Sequence, residues 1–281
     1  MGIRSLALTV LFLASATMAN ASLTQPTACS NSQPSIDSLI VQELLQSTQP
    51  KTLPEAQARM DALKGYYRSA HDPKEAFASV YSLVTATIQD WIAQGKFEYP
   101  LFIEQTSLKF YQMYRWAILT DCNQTRSTPH WAPESWQMVF EASKKQSFLP
   151  PTQNLLLSMT AHILHDLPYG VFWAANGEPL EKMRADYFKM NDLFRSILVP
   201  MIQILNQIEG LPDFKSVNEF IRDTFLPWIY YARAQSFEHA VDMQNCGGNT
   251  ACVVQVSNQI QALSSTWSHR WNSFFPFIQE N

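Results

Sequence analysis

Three side chains capable of metal or proton chemistry stand close together in one apolar stretch, residues 155–172, LLLSMTAHILHDLPYGVF. His162, His165 and Asp166 are spaced i, i+3 and i+4, so on a helix all three project from one face. Leu155, Leu156, Leu157, Met159, Ile163 and Leu164 around them read as buried, and polar groups set beside a core are costly unless they pair or bind something. His162 and Asp166, one helical turn apart, form an HxxxD pair able to chelate zinc, iron or manganese. A catalytic metal needs about three protein ligands, so the rest must come from His130, His239, His269, Glu134, Asp186 or Asp192. The plainer reading of the same pair is a hydrogen bond across one turn that stabilises the helix. Pro168 has no N–H to give the Leu164 carbonyl, so the helix should kink or end there, opening backbone beside the cluster.

Other chemistries find little footing. No G-x-S-x-G occurs, and Ser158 and Thr160 fall inside the helical run rather than on a strand-to-helix elbow. No phosphate-binding P-loop or dinucleotide glycine pattern is present. Asn123-Gln124-Thr125 fits a glycosylation sequon. Most of the 17 Phe, 10 Tyr and 8 Trp belong in a core at helical spacing. The best stretch for lining an apolar ligand pocket is Trp228-Ile229-Tyr230-Tyr231, beside Arg233.

The elements that must position these groups begin after a targeting signal. Residues 1–21 carry an early arginine, a short apolar run and Ala19-Asn20-Ala21, an A-x-A cleavage site. The expected mature chain starts at Ser22 and is exported, to a periplasm or outside the cell. No later apolar run is long enough to span a bilayer. A net charge of −4 argues against a non-specific nucleic-acid binder. Four cysteines in an exported chain suggest two disulfides. Cys246 and Cys252 flank GGNTA, a turn-rich loop they can staple, which leaves Cys29 for Cys122.

Residues 22–50 read as a polar arm followed by a first helix near 36–47, and 51–281 as a single helical domain. Thr52 with Glu55 three positions on announces a capped helix. Further helices are expected after Asp72-Pro73 up to Gly95, over 102–119, from Pro133-Glu134 to Lys145, through the central 155–172 stretch, over 180–207 as one or two helices, over 217–224, over 228–243 and over 253–275. Strand-like alternation is nearly absent. The fold class is all-α, about eight to ten helices, with a core helix kinked near Pro168.

The doublet His165-Asp166 in LHDLP resembles the pair used by HD-class metal-dependent phosphohydrolases, in which His130 and Asp186 would take the upstream and downstream parts. Exported zinc phospholipases C and nucleases also place HxxxD on helices but typically use an N-terminal tryptophan as ligand, where this chain would offer Ser22. A broader likeness rests on ARMDAL (58–63), the run YSLVTATIQDWIAQGKFEYPLFIEQTSLKFYQMY (81–114), HW (130–131), TAHILHDLPYGV (160–171) and DYFKMNDLF (186–194). Together these resemble the domain-of-unknown-function 5995 family over about residues 55 to 245. That resemblance implies a single helical domain and no particular activity. It makes His162, Asp166, Asp186 and Asn191 the matching polar positions, and puts His165 in a more variable slot.

Two functions are consistent with these residues. One is an exported metal-dependent hydrolase of phosphoester or lipid-like ester substrates, with His162, Asp166 and His130 as ligands and Asp186 and His165 catalytic. The other is a non-catalytic helical protein that binds a small apolar or lipid-like ligand, or a protein partner, with the polar cluster fixing its helices.

Overall fold

Thr52 enters the first helix in an extended conformation; its Oγ1 accepts the Glu55 N–H, while the Glu55 carboxylate takes the Lys51 N–H at 2.8 Å. One amide that the helix start leaves without a partner is thereby satisfied, together with the amide just before the cap, and α1 runs Leu53–Ser69 with Leu53, Ala56, Met60, Leu63 and Tyr67 buried along one face. This computed structural model describes residues 49–123, 132–145, 150–210 and 215–274. The expected signal segment 1–21, nearly all of the expected arm, His130, Cys29 and the Cys122 side chain lie outside that set.

Asp72 opens the second helix by accepting the Lys74 N–H at 2.9 Å and pairing with the Lys74 ammonium at 2.8 Å. Helix α2, Glu75–Ala93, is buried on all sides from Glu75 to Ser82 and ends ahead of Gly95, whose φ of +66° is the left-handed turn that glycine adopts without strain. Then follow α3, Pro100–Asn123, and α4, Glu134–Ser143.

Helix α5 is composite: Pro150–Thr160 is α-helical, Ala161–Asp166 is π-helical, and Leu167–Ala174 is α-helical again. Every residue from 152 to 164 is buried, as expected of a helix that is apolar all round. Its first part packs on α2, α4 and two later helices, and its last part on α3 and α8. A 3₁₀ turn, Leu180–Met183, leads into α6, Arg184–Ser196, and α7, Leu198–Glu209. The two helices expected over 217–224 and 228–243 form one rod, α8, over 215–245; a second π turn, Ile221–Phe225, bridges the expected gap. Helix α9, Thr250–Phe274, closes the domain, with Trp267 and Trp271 against Trp228, and Trp271 also against Phe225. Among the described residues these nine helices surround one core, and no strand occurs. No described helix is long and apolar enough to cross a membrane.

Cys246 and Cys252 are bonded, as expected from the turn between them. The loop passes through Gly247 and Gly248, both at positive φ, and joins α8 to α9. Closing so short a loop is worth about 2 kcal/mol on the chain-entropy argument.

The start of α5 is held from a distance. Glu209, at the end of α7, accepts from both the N–H and the Oγ of Thr152 at 2.7 Å. Burial pushes its carboxyl up to about 7, against the pull of the two Thr152 bonds. The folded protein therefore binds this proton more tightly than the unfolded chain does. The resulting stability is full below about pH 4.5 and is lost as pH rises through about 7. Glu209→Gln keeps an acceptor for Thr152 but cannot titrate. Urea unfolding at pH 5 and pH 8 should show the wild-type decline shrinking by about 2–3 kcal/mol in the variant; an unchanged decline would assign it to other groups.

Candidate functional site

The π turn in α5 places the histidine–aspartate cluster. The Leu167 N–H reaches back five residues to the His162 carbonyl, the wider π pattern. The Ile163 carbonyl instead accepts a hydrogen bond from Ser236 Oγ on α8, and Pro168 offers no N–H to Leu164. The disturbance expected at Pro168 is thus a change of helical pitch just before it, and the helix runs on to Ala174. With about 4.4 residues per turn rather than about 3.6, Asp166 falls between the two histidines around the axis instead of to one side of both.

Asp166 uses that position fully. Its Oδ2 accepts from His162 Nδ1 and from the Trp136 indole N–H of α4, and its Oδ1 accepts from His165 Nδ1, each at 2.9 Å. Burial alone would raise the Asp166 carboxyl, but the hydrogen bonds from the two histidines outweigh it and hold the group below the usual carboxylate range. An ionised carboxylate only accepts, so both imidazoles carry their proton on Nδ1. Burial holds His162 below its ordinary value, partly opposed by Asp166. His162 is therefore neutral at pH 7.

An aromatic box encloses His162. Phe110 of α3 stacks on it with centroids 3.2 Å apart and planes 8° from parallel, and Phe77, Tyr81, Tyr114 and Trp136 surround it at 5.2–5.9 Å. Its Nε2 is buried with no hydrogen-bond partner among the described residues, which costs about 1–3 kcal/mol for a lone acceptor. Beside the ring lies a narrow cleft of about 40 Å³ between α2, α3 and α5. Its walls are mainly apolar, among them Val80, Val84, Ile88, Phe110, Met159 and Phe194, and it is closed on one side by Arg233 of α8.

Arg233 is only 4% exposed. Its Nε donates to Asn191 Oδ1 at 2.9 Å and its Nη2 to the Tyr187 carbonyl at 2.6 Å, with the guanidinium over the Tyr187 ring. Asn191, one of the polar positions singled out in sequence, thus bears on the cleft by holding Arg233. Asp186 is placed elsewhere: its Oδ2 receives the Tyr99 N–H at the start of α3, and Lys189 lies 3.9 Å from its Oδ1. Glu134 and His269 pair with each other on the surface. The run Trp228–Tyr231 divides, with Trp228 packed toward Trp267 and Trp271, Tyr231 exposed, and only the neighbouring Arg233 at the cleft.

One of the expected metal ligands, His130, lies outside the described residues. Asp166 has both oxygens engaged by ring N–H groups, Asp186 caps a helix, and no group of three or more His, Cys, Asp or Glu side chains is disposed to hold an ion among the described residues. Trp136 and Ser236 were not foreseen. The signal for Trp136 was its indole N–H, which needs a partner when buried. Nothing local in the sequence marks Ser236.

No curated protein and no solved structure matches this chain. The chain belongs to DUF5995, a family of unknown function, which it matches over residues 53–269.

Proposed function

We propose that this member of the DUF5995 family is an exported, non-catalytic helical protein that binds a small, largely apolar ligand in the cleft beside His162. The carrying observation is the pairing of a mainly apolar cleft with a neutral histidine whose orientation Asp166 fixes. Ligand sites have this make-up: apolar walls and a few placed polar groups. The Asp166 cluster then serves as a buried network that sets the meeting of α4 and α5.

The metal-dependent hydrolase keeps one observation in its favour. A carboxylate on a histidine Nδ1–H is the arrangement that orients metal-bearing imidazoles. In that reading His162 and His165 would bind through Nε2, with Asp166 behind them and His130 supplying a further ligand.

The test is thermal unfolding with increasing 1-octanol, a neutral apolar probe. A saturable rise in Tm is expected for the wild type, absent in Val84→Trp, which fills the cleft from α2. No saturable rise in the wild type, or an equal rise in the variant, would overturn the binding reading. Elemental analysis of the same samples decides the rival: near-stoichiometric zinc, iron or manganese, lost in a folded His162→Ala variant, would establish the metal site.

A further inference from the structure

We infer that the ligand of this cleft is an amphiphile with an anionic head, a carboxylate or phosphate monoester on a slender chain, and that Arg233 receives the head. This inference rests on the binding reading above and adds the ligand's class.

Arg233 is buried, and the groups it touches are neutral: the Asn191 amide oxygen, the Tyr187 carbonyl and the faces of Tyr187 and Phe194. No ion pair engages it among the described residues. The effect of its surroundings agrees: burial lowers the guanidinium, and no carboxylate opposes that. Arginine does not give up its proton in proteins, so the charge stays and has no counter-charge there. An uncompensated buried charge is strongly destabilising unless something pairs with it. The bonds at Nε and Nη2 fix the plane of the fork. A planar fork of this kind suits an oxyanion better than a point charge does.

The cleft gives the rest of the ligand its shape. Arg233 shares the lining with Val80, Val84, Ile88, Phe110 and Met159. About 40 Å³ admits the end of an alkyl chain and not a ring system. Of the other polar residues on the wall, Tyr81, Thr85, Ser107 and His162, only His162 could carry a positive charge, and burial disfavours its charged form. It therefore adds no competing cation and leaves Arg233 to select the sign of the head.

The measurement is a head-group series at fixed chain length on the unaltered protein, by calorimetry at pH 7.5: octanoate, octyl phosphate, 1-octanol and octylamine. One anion should bind roughly tenfold or more tighter than octanol, the factor expected for a hydrogen bond to a charged group, and octylamine should bind weakest. Which anion is tighter separates a carboxylate head from a phosphate. Arg233→Gln should bring the anions down to the level of octanol in the same variant, and Asn191→Ala should narrow the gap by loosening the fork. Equal affinity for octanoate, octyl phosphate and octanol in the wild type would overturn the head-group assignment and leave apolar binding standing. Binding of none of the four would remove both.

Discussion

Asp166→Ala is expected to lower the folding free energy by about 3–5 kcal/mol, the loss seen when one partner of a buried charged network is removed. The reason lies in what remains. Three ring N–H groups, from His162, His165 and Trp136, converge on that carboxylate at 2.9 Å, and His162 and Trp136 are almost wholly buried. Each donor left without an acceptor costs about 1–3 kcal/mol. Trp136→Phe removes one donor and keeps the bulk, so it should cost less, about 1.5–3 kcal/mol. Urea unfolding of the three proteins is the check. A loss below about 1 kcal/mol for Asp166→Ala would mean that the cluster does not organise the core, and the structural part of the reading would fall.

Phe77→Ala should cost a similar amount, about 3–5 kcal/mol, as for other buried aromatics cut to alanine. Phe77 is 1% exposed and stands edge-on to Tyr81, Tyr114, Trp136 and His162. It also lines the cleft, so the space its ring vacates would open into the cleft. Apolar cavities of that size accept benzene. Saturating benzene should thus recover part of the lost stability in Phe77→Ala and shift the wild type far less. An equal shift in both proteins would show that the removed ring does not open into a ligand-accessible space.

Much of the architecture could be read directly from sequence, because its signals are local. Thr52 and Glu55 cap α1, Gly95 and Gly210 stop helices in the left-handed conformation, and Cys246 with Cys252 brackets a two-glycine turn. The bond between His162 and Asp166 was also legible, since it needs only the i, i+4 spacing. What could not be read depends on neighbours far along the chain. Asp186 was a candidate for the same site, yet its carboxylate holds the Tyr99 N–H, 87 residues away. Glu209 reaches Thr152 across 57 residues and Ser236 reaches Ile163 across 73. Trp136 belongs to the same class: only the packing of α4 on α5 brings its indole to Asp166. The Pro168 signal was real but ambiguous, because a missing N–H says that the ladder must change and not how. The second π turn also ends at a leucine–proline pair, Leu226-Pro227, while Leu53-Pro54 opens an ordinary α-helix, so the pair alone does not announce such a turn.

A π turn holds one residue more than the α-helix it interrupts, and that surplus acts as a fixed swivel. If the same residues closed into uniform α-helix, everything after the turn would rotate by roughly 100° relative to everything before. The two parts of α5 serve different neighbours, α2, α4, α7 and α9 on one side of the turn and α3 and α8 on the other. Straightening the turn at constant length would keep every side-chain type the domain needs while pointing half of them at the wrong partners. The surplus residue is thus what lets both flanks keep their partners, and losing it at Ile163 should disturb the spacing of His162 and Asp166 more than the packing of the flanking helices.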